Sequence, residues 1–247
     1  MDAVIGLALS ALIAGLAYVR GSLNASGLLA ALGLGTMVYA LAGAGLFWVL
    51  MIFFISSSLL ARLHPTRLKT RRSAWQVLAN GGVLVLLIVM SLVWDTAIMH
   101  SLMLTSIGVA MSDTWSSEIG QKSRVLPFHV LTKKPMTPGL SGGVSVLGFA
   151  AAACAGMVIA MLSYLVLDAP SLRMAFIIGL FSFLGAWLDS ILGLLQVKYH
   201  ALDGALTEDP QQGALTTHGW PWLDNNLVNF LANAMTVIVL GLLLHFL

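Results

Sequence analysis

Charge is what this sequence has least of. Only 9% of its 247 residues are Asp, Glu, Lys or Arg, against about 25% in a soluble domain. Hydrophobic residues make up 59% and mean hydropathy is +0.94, which excludes a water-soluble body. A net charge of +2 gives no reason to expect a nucleic-acid partner. The single cysteine, Cys154, excludes an internal disulfide and a cysteine metal site; within its apolar run it is expected to pack inside. The histidines are scattered, with no two at metal-ligand spacing in a helix. No Gly-Lys-Ser/Thr is present, so there is no Walker A loop. No Lys or Arg precedes the first apolar run, so a cleaved leader is not expected.

What remains is a series of apolar runs. A membrane-spanning helix needs about 20 apolar residues, and the runs predict an all-α, polytopic transmembrane bundle of about eight spans in one domain, 1–247. The spans are 3–19, 27–42, 45–61, 74–94, 96–111, 143–167, 172–195 and 225–247. The second and third divide one run too long for a single crossing, with Gly43 and Gly45 as the expected break; without it there are seven. Of the 12 Lys and Arg residues, all but Arg173 fall in the connections 20–26, 62–73, 112–142 and 196–224. By the positive-inside rule these connections are cytoplasmic and both termini lie outside. The opposite turns, around Gly43, Asp95 and Asp168-Ala169-Pro170, are short.

The polar residues gather toward that inner side. Arg72, Gln76 and Asn80 recur every four residues and form one stripe at the start of the fourth span, below Arg71. The segment Ser112-Asp113-Thr114-Trp115-Ser116-Ser117-Glu118 puts carboxylates beside hydroxyls; if helical, Asp113, Ser116 and Ser117 share a face. Magnesium is commonly held by one or two carboxylates plus water and substrate phosphates. Lys133 and Lys134 lead through Pro135 and Pro138 into Gly139, Ser141, Gly142, Gly143 and Ser145 at a helix start, a composition suited to cradling phosphate. Asp189 lies seven residues before Gln196, roughly 10 Å inside the end of its span, and a carboxylate at that depth reads as functional. On the last span Asn226, Asn229 and Asn233 make an amide face, with Asp224 or Asn225 as its cap. Trp220 and Trp222 read as interfacial anchors.

In order, these motifs are Arg-x-x-x-Gln-Val-Leu-Ala-Asn-Gly at 72–81, Asp-Thr-Trp-Ser-Ser-Glu-Ile-Gly at 113–120 and Gly-x-Ser-Gly-Gly-Val-Ser at 139–145. Leu-Asp-Ser-Ile-Leu-Gly at 188–193 and Asp-Asn-Asn-Leu-Val-Asn at 224–229 complete them. The set resembles the integral-membrane family of phytyl-phosphate kinase and transmembrane protein 19, over roughly residues 60–235. It is similar, more distantly, to phytol and dolichol kinases. The resemblance implies transfer of a γ-phosphoryl group from a nucleoside triphosphate, CTP by analogy, to an isoprenyl monophosphate. On that reading Asp113, Glu118, Asp189 and Asp224 hold Mg2+, and Lys133, Lys134, Gly139, Ser141, Gly142, Gly143 and Ser145 take the donor phosphates. Arg71, Arg72, Gln76, Asn80, Asn226 and Asn229 take the lipid acceptor, whose tail lies between helices in the lipid. Leu140 stands where a hydroxyl residue is expected, and Ser112 where alanine is. The alternatives are a transporter or flippase of a lipid phosphate or small anion, and a CTP-dependent cytidylyltransferase.

Overall fold

In the computed structural model short polar side chains start most of the helices, the expected cap of the last one among them. The structure describes residues 1–62, 71–94, 97–167, 171–200, 206–208 and 215–246. The expected inner cations Arg67 and Lys69, and the turn residues Asp95 and Asp168-Ala169-Pro170, lie outside the described residues. Helix α1 spans Asp2–Val19 and α2 spans Ala25–Met37, continuing as a π-helical stretch over Val38–Ala42. Then come α3 (Gly43–Arg62), α4 (Ala74–Ser91), α5 (Ala97–Gly120), α6 (Val146–Val166), α7 (Leu172–Leu192) and α8 (Asn225–His245). Asn24, Ser73, Ser145, Ser171 and Asp224 each cap the helix that follows, accepting from its first turn. Ser73 forms a full capping box with Gln76.

Gly43 has φ +90°, a conformation that glycine adopts without steric penalty, and there the long second apolar run breaks. Arg62, at the far end of α3, donates through Nη2 to the Ser22 hydroxyl at 3.1 Å and the Arg20 carbonyl at 3.4 Å. The chain has therefore returned to the level where α2 began, so the run makes two crossings. Among the described residues six stretches are long and apolar enough to cross a membrane, the unit Ala25–Arg62 counting as one. The fold is a polytopic helical bundle. Its extra structure is small: β1 (Phe128–His129) pairs with β2 (Gly143–Val144), and β3 (Lys198–His200) lies between β4 (Leu206–Thr207) and β5 (Leu215–His218).

Helix α5 is the axis of the molecule, touching α3, α4, α6, α7 and α8. Residues Ser101 to Ser112 are buried all round, including Thr105 and Ser106 at 0% exposure. It does not need the apolar surface of a lipid-facing helix, and it is not among the six most apolar stretches. Close packing comes from glycines. A Cβ on Gly179 (α7) would lie 2.5 Å from the Gly156 carbonyl oxygen (α6), so only glycines let these two backbones meet. Gly108 of α5 packs likewise on Ser182 of α7. Cys154, expected inside, is exposed on the outer face of α6, because Ala151, Ala152 and Ala155 supply that helix's inner side.

Candidate functional site

The ends of α5, α7 and α8 bring the acidic motifs together. Helix α5 runs nine residues beyond the expected span end at 111, to Gly120, so the Asp113–Gly120 motif is helical throughout. Gly108 against Ser182 and Gly185 against Val109 and Thr236 draw α5, α7 and α8 close. Near this tight crossing the side chains of Asp113 and Asp189 lie within hydrogen-bonding reach of each other, 76 positions apart in sequence. Glu118 is buried one turn on and acts electrostatically on Asp113. Asn229 turns its amide nitrogen to Asp189 Oδ2 and to the Asn225 carbonyl, each at 2.9 Å. One turn deeper, Asn233 donates to the Ser106 carbonyl at 3.0 Å. The amide face of α8 is thus divided: Asn229 addresses the acids and Asn233 locks α8 to α5.

Other expected site residues are placed differently. Asp224 accepts from the Leu227 N–H at 2.8 Å and from Asn226 Nδ2 at 3.2 Å, so its carboxylate is engaged in capping α8 and Asn226 in bracing that cap. Ser117 lies one turn on from Asp113 on the same helix face, as expected, but it is exposed and its hydroxyl donates to the Thr114 carbonyl at 3.1 Å. Among the described residues no group of three or more His, Cys, Asp or Glu side chains could enclose a metal ion. The two acids that meet nevertheless suit a magnesium ion, which is often bound through one or two carboxylates. Carboxylates in contact repel unless a proton or a cation lies between them.

The loop before α6 carries the lysines outward. Lys133 has φ +60° at a hairpin tip, and its ammonium sits 5.0 Å from the centre of the Phe128 ring. Lys134 is exposed beside it, its carbonyl accepting from the His129 N–H at 2.8 Å. Gly139 is open, and Gly142 (φ +85°) turns the chain into β2. Ser145 caps α6 and donates to the Gly120 carbonyl at 3.2 Å, fastening the phosphate-type segment to the end of the acidic motif.

Sequence reasoning missed a further cluster. The Ser141 N–H donates to Glu208 Oε1 at 2.6 Å and its hydroxyl to Oε2 at 2.9 Å; Gln196 Nε2 also donates to Oε2 at 2.9 Å. Lys198 Nζ donates to the Ser141 carbonyl at 3.3 Å. Burial pushes the Glu208 carboxyl up from its ordinary range, against the stabilising Ser141 hydrogen bonds and the Lys198 charge. Burial pushes the Lys198 ammonium down, with the Glu208 charge opposing. The available signal was a lysine nine positions past Asp189 on the chain leaving α7.

On the other flank the backbone of Arg72 pairs with the connection between α1 and α2. Its N–H donates to the Ser22 carbonyl at 3.0 Å, and its carbonyl accepts from the Asn24 N–H at 3.1 Å. Above it, Gln76 accepts from the Ser73 N–H at 3.0 Å and Asn80 Nδ2 donates to the Gln76 carbonyl at 3.3 Å. Arg72, Gln76 and Asn80 line the polar part of an otherwise apolar cleft of about 60 Å³ between α1, α2, α3 and α4. Leu34, Leu50 and Phe53 are among its apolar walls. Arg71 is exposed at the same end.

The family described as integral membrane protein DUF92 matches residues 8–237. Protein PGR of Arabidopsis thaliana is 28% identical over 269 aligned residues, covering 94% of this chain and 93% of its own. An uncharacterized membrane protein of Synechocystis sp. is 30% identical over 124 residues, covering 50% of this chain and 40% of its own. No solved structure matches.

Proposed function

For a chain that belongs to the DUF92 integral membrane family, we propose phosphoryl transfer: a nucleoside triphosphate, CTP by the motif resemblance, phosphorylates phytyl phosphate or a related isoprenyl monophosphate. The observation that carries this reading is the meeting of Asp113 and Asp189 at the bundle end where Ser145 ties in the Gly/Ser segment. Two acids beside an anion-type loop suit a triphosphate brought with its divalent cation.

In this mechanism an acceptor phosphate oxygen attacks the γ-phosphorus, the bond to the β,γ-bridging oxygen breaks, and the products are a lipid diphosphate and a nucleoside diphosphate. The acceptor is already an anion near neutral pH, so positioning and charge neutralisation carry the catalysis. Asp113 and Asp189 would hold Mg2+, with Glu118 behind them; the bound ion supplies charge neutralisation on the donor phosphates. Asn229 fixes the rotamer of Asp189. Lys133 and Lys134 meet the incoming nucleotide at the exposed hairpin. The small cleft suits the head end of the lipid: Arg72, Gln76 and Asn80 lie nearest the phosphate, its apolar walls meet the start of the isoprenyl chain, and the rest of the tail lies between helices in the lipid. The positive-inside bias supports a cytoplasmic position for this end, where nucleotides are.

The test is reconstituted protein given magnesium, CTP and phytyl monophosphate. Lipid diphosphate and CDP are the expected products. Release of pyrophosphate with a nucleotidyl lipid would transfer the assignment to a cytidylyltransferase. Movement of the lipid phosphate across vesicles without any product would make the protein a flippase.

A further inference from the structure

The cluster around Glu208 is assembled entirely from donors. Ser141 contributes a backbone N–H and a hydroxyl, Gln196 an amide nitrogen and Lys198 an adjacent ammonium. Gln196 and Lys198 are only 2% and 7% exposed, so these groups have little access to water. Their positions are set by other contacts. The Gln196 N–H donates to the Gly193 carbonyl at 3.3 Å, and the Trp220 N–H donates to the Leu195 carbonyl at 3.0 Å. The next N–H, of Val197, donates to the Leu223 carbonyl at 3.2 Å. Gly142, at φ +85°, and Gly193, whose Cβ would lie 3.0 Å from Ser141 Cβ, let the two segments close on each other.

Glu208 is the acceptor that fills this cradle, entering from the end of the two-residue strand β4. None of the donors needs a carboxylate in particular. A phosphate offers more oxygens and up to twice the charge to the same N–H, O–H and ammonium groups. The cradle also sits where α7 ends, following Asp189 along the chain, and Ser141 belongs to the loop tied to the acidic motif.

We propose that Ser141, Gln196 and Lys198 form a phosphate-binding site, and that Glu208 is a tethered stand-in which the incoming phosphate displaces. Lys198, a residue the motifs did not single out, is then the buried cation of the site, while Lys133 and Lys134 remain at its exposed approach. Assigning the bound group to a donor nucleotide rests on the phosphoryl-transfer reading; the anion site itself does not. A carboxylate that fills the cradle about nine-tenths of the time reduces apparent affinity roughly tenfold, since only the vacated fraction binds.

The experiment is calorimetric titration of the purified full chain in detergent, without magnesium, using pyrophosphate as probe. Glu208→Gln is expected to bind pyrophosphate about tenfold tighter than wild type, and Lys198→Met at least tenfold weaker. If Glu208→Gln binds no tighter, or Lys198→Met binds as well as wild type, the proposal is overturned. A second readout needs no variant. On adding pyrophosphate to wild type, amides at 206–208 are expected to exchange faster while that of Ser141 stays protected; unchanged exchange at 206–208 would sink the displacement. Tighter pyrophosphate binding in Glu208→Gln with no turnover of any nucleotide would leave the anion site standing and remove the kinase reading. Turnover with an unaltered nucleotide KM in both variants would do the reverse.

Discussion

Asp189→Asn separates a metal-nucleotide site from a helix-packing contact. At roughly 4 Å and an effective dielectric near 20, two like unit charges repel by about 4 kcal/mol, the scale of what Asp113 and Asp189 cost each other when neither proton nor cation lies between them. Replacing one acid with its neutral isostere removes that repulsion. It keeps the hydrogen-bonding shape, and the Asn225 carbonyl still holds the Asn229 amide at 2.9 Å. The variant in chelator is therefore expected to be at least as resistant to heat as wild type. Ligand should then reverse the ranking. Saturation at about 100 times Kd stabilises a protein by about 2.7 kcal/mol, and wild type with magnesium-CTP should show a gain of that order while Asp189→Asn gains nothing. The assay is thermal unfolding in detergent, with chelator, with magnesium alone and with magnesium-CTP. Asp113→Asn should behave the same way, and the double variant should lose little more turnover than either single, because groups acting as a unit are not additive. An Asp189→Asn protein that melts early in chelator yet retains the full magnesium-CTP gain would refute the shared site and make Asp189 a packing residue.

Other expectations are more local. Gly179→Leu forces a side chain against the Gly156 carbonyl oxygen 2.5 Å away and Ala160 Cβ 2.8 Å away; a loss of about 3 kcal/mol is expected, read by thermal unfolding beside Gly15→Ala, which meets nothing within 4 Å. Asp224→Ala removes the cap of α8 at a cost of about 1 kcal/mol, and turnover should persist; abolished turnover in a folded variant would return Asp224 to the metal set. In a Cys154→Ala background, Lys122→Cys is expected to resist an impermeant thiol reagent in whole cells until the membrane is opened. Ready labelling from outside would invert the orientation.

Much of the architecture was legible because a spanning helix needs little more than length and apolarity, and Asp224 before the last apolar run reads as a cap. The break at Gly43 could be placed because no single helix could use so long an apolar run. The span ends near 111 because hydropathy marks where the lipid stops, whereas backbone hydrogen bonding carries α5 on through Asp113 to Gly120. Cys154 was turned the wrong way because in a bilayer an apolar side chain is as well suited to lipid as to the core. Within the site, Asp113 and Asp189 stood out from the cost of an acid at that depth, and the motif resemblance already put them on one ion. The Ser141–Glu208 contact did not stand out, since it joins residues 67 positions apart through loops that carry no periodicity.

The burial of α5 has a consequence for biogenesis. A segment with Ser101, Thr105, Ser106 and Ser112 buried along its length has less hydropathy with which to leave a translocation channel than the six apolar stretches. It gains its environment only when helices on both sides of it in the chain, α3 and α4 before and α6 and α7 after, are present to enclose it. Membrane integration of α5 should therefore lag behind its synthesis and depend on α6. Nascent chains ending near residue 130 should leave the end of α4 and the whole of α5 on the wrong side in glycosylation mapping, and chains extended beyond 170 should correct it. The acidic motif at 113–120 would thus take its place in the bilayer only once the Gly/Ser segment that Ser145 fastens to it has been made.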